Sequence, residues 1–104
     1  MGNHNVGRAM AAAAKGFWAG NGDAPVSKEK ALAVLDATAE EFRGADAEFD
    51  DHCWPDEPLG RLLAVAFGPW TEDDDKKNNA DPNNVGMHWY EKIETPFSER
   101  YGFC

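Results

Sequence analysis

The sequence has few of the residues that carry nucleophilic catalysis, and it has no stretch long enough to cross a membrane. The only serines are Ser27 and Ser98, and neither belongs to the Gly-x-Ser-x-Gly pattern of a nucleophile elbow. No phosphate-binding loop is present, since Gly20-Asn21-Gly22 lacks the third glycine of a dinucleotide loop. The longest apolar stretch, Leu62 to Phe67, falls well short of the ~20 residues of a membrane span. We therefore expect neither an enzyme nor a membrane protein.

Cysteine is equally scarce, because Cys53 and Cys104 are the only two in 104 residues. Two thiols are too few for a disulfide scaffold. The apolar run Ala11 to Ala14 is too short for the hydrophobic region of a signal peptide. The length suits one domain, which we assign to residues 1–104. We expect a cytoplasmic protein with both thiols reduced and with no cofactor.

Basic residues are few, and the excess of acidic residues is concentrated in the middle of the chain. The formal net charge is −9 at pH 7. Residues 31–75 carry thirteen acids against only Arg43 and Arg61, whereas neither flanking segment has an acidic excess. Such a field repels nucleic acid and anionic membranes and attracts basic partners. The charge pattern therefore predicts a protein partner with a basic surface, and no direct contact with nucleic acid or membrane.

Apolar residues recur at three- and four-residue steps in three segments, which is the spacing of a helix face. The first segment covers about 5–18, the second runs from the N-cap Ser27 to a break near Gly44, and the third covers about 58–67. The apolar positions, in chain order, are Val6, Met10, Ala14, Phe17, Leu32, Leu35, Ala39, Phe42, Leu59, Leu62, Leu63, Ala66 and Phe67. We predict an all-α fold, a small single domain of about three main helices.

The remainder of the chain shows weaker patterns. Residues 71–86 have no apolar periodicity, which predicts a long acidic loop. The segment from Met87 to Ile93 fits a helix better than a strand, and the strand defines an alternative, a small α+β fold. Thr95 is predicted to be an N-cap followed by the first-turn proline Pro96, at the start of a final turn that ends at Gly102. Seven of the twelve aromatic residues lie in the last 38 residues. This aromatic C-terminal segment either closes the core of the domain or docks into a partner.

The candidate partner-binding residues are mainly carboxylates. Acids four residues apart on a helix repel each other by a few tenths of a kcal/mol, so an unbroken row favours a role beyond solvation. A helical turn advances ~5.4 Å, which is comparable with the ~3.4 Å between phosphates along a nucleic-acid strand. The candidates are Asp36, Glu40, Glu41, Asp46, Glu48, Asp50, Asp51, Glu72, Asp73, Asp74, Asp75, Trp89 and Tyr90. The alternative is an acidic surface with no specific partner.

Several types of metal ligand occur within four residues at Asp50-Asp51-His52-Cys53. A closed zinc site would also need His88 and Cys104, which are distant in the chain, and the paired spacing of a zinc motif is lacking. A calcium loop starting at Asp81 fails because Lys92 stands where a glutamate is required. We therefore predict no metal site and interpret His52 and Cys53 as a turn or helix end. A small metal-binding protein remains an alternative.

These features together favour an acidic protein-binding inhibitor, a nucleic-acid mimic that occupies a basic nucleic-acid-binding surface on its partner. A short, acidic chain without catalytic motifs is similar in character to phage-encoded anti-restriction and anti-CRISPR inhibitors. That resemblance is one of composition and covers no motif. An accessory subunit of a larger enzyme or assembly, docking through the aromatic C-terminal segment, is an alternative function.

Overall fold

The computed structural model describes residues 4–42, 47–48 and 54–102, and most of these are helical. In chain order the helices are α1 (Val6–Asn21), α2 (Lys28–Glu40), α3 (Pro58–Phe67), α4 (Glu72–Ala80), α5 (Met87–Trp89), a π-helical stretch (Tyr90–Glu94) and α6 (Thr95–Tyr101). Two-residue strands, β1 (His4–Asn5) and β2 (Ala47–Glu48), pair in parallel with His4 opposite Ala47. The predicted all-α class is confirmed.

The first three helices begin where the sequence predicts. Ser27 caps α2, since its Oγ accepts a hydrogen bond from the Lys30 backbone N–H at 3.1 Å. Pro58 occupies the first turn of α3, where its missing N–H is not needed. Helix α1 is longer than predicted and continues through Gly16 to Asn21. The predicted break near Gly44 lies outside the described residues.

Helices α1, α2 and α3 pack against one another. The C-terminal segment, by which we mean α5, the π-helical stretch and α6, packs on α3 through its last two elements. The buried apolar residues come from both parts: Val6, Met10, Ala14, Ala31, Leu35, Leu59, Leu62, Leu63, Ala66, Trp89, Ile93 and Phe97. The ring of Phe97 lies edge-on to Phe67 at 5.9 Å between centroids. The aromatic C-terminal segment therefore closes the core of the domain, one of the two roles that the sequence leaves open.

The prediction of a long acidic loop is wrong, because most of that segment forms α4, and three main helices are too few. A capping box starts α4: Thr71 Oγ1 accepts from the Asp74 N–H at 3.2 Å, and Asp74 Oδ2 accepts from the Thr71 N–H at 2.9 Å. All four acids of its first turn face the positive end of the helix dipole. Capping and charge stabilise the start of this helix, so its sequence shows no apolar periodicity from which a helix could be predicted.

The C-terminal segment is helical throughout, so the alternative strand near Met87 to Ile93 is wrong. Thr95 is not an N-cap, since its backbone is already helical and its hydroxyl donates to the Tyr90 carbonyl at 2.9 Å. The helix ends as predicted at Gly102, which has a φ of 74° and donates its N–H to the Ser98 carbonyl. No helix within the described ranges is long and apolar enough to cross a membrane.

Candidate partner-binding surface

Asp74, one of the predicted partner-binding carboxylates, is engaged inside the protein. Its Oδ1 lies 2.8 Å from His88 Nε2, and its Oδ2 accepts a hydrogen bond from Lys92 Nζ at 2.7 Å. Only 14% of the side chain is exposed. The hydrogen bonds from Lys92, His88 and Thr71 hold the pKa of Asp74 far below its ordinary value. Asp74 therefore joins α4 to the C-terminal segment instead of facing a partner.

A second contact fixes α4 against the same segment. The side chain of Asn78 is buried, and its Oδ1 accepts a hydrogen bond from the Trp89 backbone N–H at 2.8 Å. The Asn78 carbonyl accepts from the Gly86 N–H at 3.2 Å. Trp89 is fully buried and meets the ring of Trp70 edge-on at 4.9 Å between centroids. Trp89 was a candidate for partner contact, and the fold instead places it in the core.

Asp36 is also paired within the molecule. Its Oδ1 accepts from Arg100 Nε at 3.1 Å and from the Tyr101 hydroxyl at 2.7 Å, while Oδ2 accepts from an Arg100 terminal nitrogen at 2.8 Å. Arg100 lowers the pKa of Asp36. Burial, and then the bond to the Asp36 carboxylate, raises the pKa of Tyr101 above its ordinary range. Asp36 thus links α2 to α6, and its charge is balanced by Arg100.

Some of the predicted site residues belong to parts of the chain outside the described ranges. Asp46, Asp50 and Asp51 lie outside the described residues, as do His52, Cys53 and Cys104, and the side chain of Glu48 in β2 is not described. Glu40 and Glu41 are exposed at the end of α2. Within the described part of the chain, no group of three or more His, Cys, Asp or Glu side chains is placed to hold a metal ion.

Two of the remaining acids of α4, Glu72 and Asp75, border a groove. Two recesses of about 480 and 340 Å³ adjoin, because both are lined by Pro55, Asp56 and Asp75. Further lining residues are Trp54, Asn78, Asn79 and Val85 in the larger recess and Trp70, Thr71 and Glu72 in the smaller. We call the two recesses together the Trp54–Trp70 groove. Among the described residues that line it, none is basic.

Sequence reasoning missed Trp54, which lines the part of this groove that precedes α3. Trp54 is 42% exposed, which is unusual for so large an apolar side chain, and Asp56 brings a carboxylate towards Glu72 and Asp75. Val85, Met87 and Tyr90 are the other large apolar side chains that the described structure exposes. Tyr90 is one of the predicted partner contacts, and its side chain is exposed. No periodic pattern marks Trp54, so the sequence alone has no signal for the groove.

No protein-family model, curated protein or solved structure matches this chain. The function must therefore be inferred from the groove and from the placement of the charges.

Proposed function

We propose that this protein binds a protein partner through its acidic surface and inhibits that partner by occupying a basic surface that otherwise binds nucleic acid. The supporting observation is that Asp56, Glu72 and Asp75, from two separate segments, line one groove. The net charge of −9 gives the whole molecule a field of the same sign. A basic surface would be attracted from a distance and then contacted by these carboxylates.

The contacts proposed for the partner are the acids that remain accessible. Glu72, Asp73 and Asp75 are exposed on the first turn of α4, and Asp56 and Glu57 are exposed just before α3. Glu40 and Glu41, which are exposed at the end of α2, are also proposed contacts. Asp36 and Asp74 are excluded because internal bases already engage them, and Trp89 is excluded because it is buried. Carboxylates held on fixed elements require little ordering when a partner binds.

Matched neutral variants of the tagged, full-length protein test the proposal. One triple variant carries Asp56→Asn, Glu57→Gln and Glu72→Gln beside the groove. The control carries Asp23→Asn, Glu29→Gln and Glu91→Gln, which removes the same charge from exposed positions that do not line the groove.

Partners captured from host lysate at low salt are then assayed for release of their bound nucleic acid. We expect the wild type and the control to capture a nucleic-acid-binding protein and displace its nucleic acid, and the groove variant to do neither. Equal displacement by both triple variants, or displacement that persists unchanged in high salt, would show that the proposal is incorrect.

An accessory subunit is a second candidate, favoured by the exposed apolar side chains. Val85, Met87 and Tyr90 follow one another closely in the chain, and each is about half exposed. Apolar surface of this kind is typical of subunit contacts. Removing 87–104 would not test it, because the core would lose Trp89, Ile93 and Phe97. The pair Met87→Gln and Tyr90→Gln should instead release a subunit whose binding withstands high salt, whereas the inhibitor would keep its salt-sensitive binding.

A further inference from the structure

We propose that the Trp54–Trp70 groove holds an arginine side chain of the basic partner. This inference rests on the proposed function and names the chemical group that the surface recognises. The larger recess, about 480 Å³, falls within the size range of ligand sites in proteins. Its walls combine the exposed ring of Trp54 with Pro55 and Val85, and the carboxylates of Asp56 and Asp75 complete it.

The charges of the groove favour a cation. Asp56 and Asp75 line both recesses, and Glu72 lines the smaller one. Lys76 and Lys77 follow Asp75 on α4, yet neither lines the described part of the groove. A cationic side chain in this groove would contact two or three carboxylates. None of the described residues that line the groove is a base that would repel it.

The aromatic walls favour arginine over lysine. A planar guanidinium can stack on an indole ring and donate two parallel hydrogen bonds to a carboxylate, whereas an ammonium acts as a point charge. The protein already contains one contact between a guanidinium and an indole ring, since the Arg61 guanidinium lies 4.2 Å from the ring centroid of Trp18. Trp54 offers a ring for stacking in the groove, because it lines the larger recess and its side chain is 42% exposed. Asp56, two residues from Trp54, and Asp75 across the groove are the acceptors.

A peptide titration followed by NMR tests the inference on the full chain. The probe is a short capped peptide of alternating glycine and arginine, and its controls replace arginine by lysine or by the neutral isostere citrulline. The four tryptophans provide indole N–H resonances, assigned by single Trp→Phe variants. We expect the arginine peptide to shift the Trp54 resonance strongly while that of Trp18 stays in place. The citrulline peptide should not shift the Trp54 resonance, and the lysine peptide should bind about ten times more weakly than the arginine peptide.

Single variants complete the test. Asp56→Asn or Asp75→Asn should lower the affinity for the arginine peptide about tenfold, since each removes a charged acceptor. Glu29→Gln removes the same charge on α2 and should leave the affinity unchanged. An equal response to citrulline, or an unmoved Trp54 resonance, overturns the inference. If the peptide still binds in a salt-sensitive way elsewhere on the surface, only this inference fails. If no peptide binds at all, and the groove variant still displaces nucleic acid from its partner, the proposed function fails with it.

Discussion

The carboxylate of Asp74 lies 2.8 Å from Nε2 of His88, a residue 14 positions later in the chain. Together with the Lys92 contact on the other oxygen, this pair holds the acidic helix α4 against the C-terminal segment. Asp36 does the same between α2 and α6 through Arg100. Two of the acids that the sequence predicts for the charged surface therefore stabilise the fold. The acidic surface that we propose for a partner is therefore smaller than the sequence implies, and it centres on the first turn of α4 and the residues before α3.

Replacing Asp74 by Asn should destabilise the protein at neutral pH and should change how its stability responds to acid. The pKa of Asp74 is lowered in the folded state relative to its ordinary value of 3.8. Its stabilising effect is therefore fully present above that value and is lost as the pH falls towards the folded-state pKa. Denaturant unfolding should show a wild-type advantage above about pH 5 that shrinks steadily below the ordinary value.

Asp73→Asn is the matched control for this experiment, because Asp73 is the exposed neighbour of Asp74 on the same helical turn. Its free energy of unfolding should stay within about 0.5 kcal/mol of the wild type. If Asp74→Asn behaves like Asp73→Asn at every pH, the contacts with Lys92 and His88 contribute nothing to stability.

Tyr101 should ionise at a higher pH than a free tyrosine. Burial and the Asp36 carboxylate both disfavour the phenolate, so its pKa is raised above the ordinary value of 10.0. The folded state accordingly loses stability as the pH rises through that raised pKa. A Tyr90→Phe background leaves Tyr101 as the only tyrosine, and its absorbance near 295 nm can be followed alongside circular dichroism. Adding Asp36→Asn should lower the midpoint. An unchanged midpoint would exclude a hydrogen bond between the two side chains.

Gly68→Ala should strongly destabilise the protein, because an added Cβ would clash with the Ala64 carbonyl oxygen and would lie 2.7 Å from the Trp70 nitrogen. Both obstacles are backbone atoms, which cannot move aside as a side chain can. Gly16→Ala is the control, since a Cβ there meets nothing within 4 Å on α1, and it should stabilise by about 0.5–1 kcal/mol. Thermal melts of both variants decide the matter. Equal melting temperatures would contradict the packing at Gly68.

Apolar spacing predicts the elements that pack by apolar faces. In α1 the residues Val6, Met10 and Ala14 are fully buried as their spacing requires, and α3 spans the predicted Pro58–Phe67. These elements could be predicted because the hydrophobic effect both patterns them and holds them in place. On α2 the buried face is rotated from the predicted one, since Ala31 and Thr38 are buried while Leu32 is partly exposed.

Elements that are held in place by polar contacts show no apolar spacing, so the sequence does not predict them. Helix α4 buries a single described side chain, that of Asn78, and it depends on the Thr71 cap and on partners in the C-terminal segment. The pairs Asp74–His88 and Asp36–Arg100 join residues far apart in the chain, so no local spacing reveals them. The groove depends in the same way on the approach of Trp54 and Asp56 to α4, which only the tertiary structure specifies.

Asn78→Ala should destabilise the protein by about 2 kcal/mol, because it leaves the Trp89 backbone N–H buried without its acceptor. Asn79→Ala, at the next position on α4, is the control. Asn79 is exposed, and within the described part of the chain its side chain bonds only to the Asp75 carbonyl of the same helix, so its loss should cost less than about 0.5 kcal/mol. Unfolding free energies measure both effects, and hydrogen exchange should show faster exchange at the Trp89 amide in Asn78→Ala alone. Equal costs for the two variants would mean that α4 does not depend on this bond, and that its place beside the groove is set by the Asp74 contacts instead.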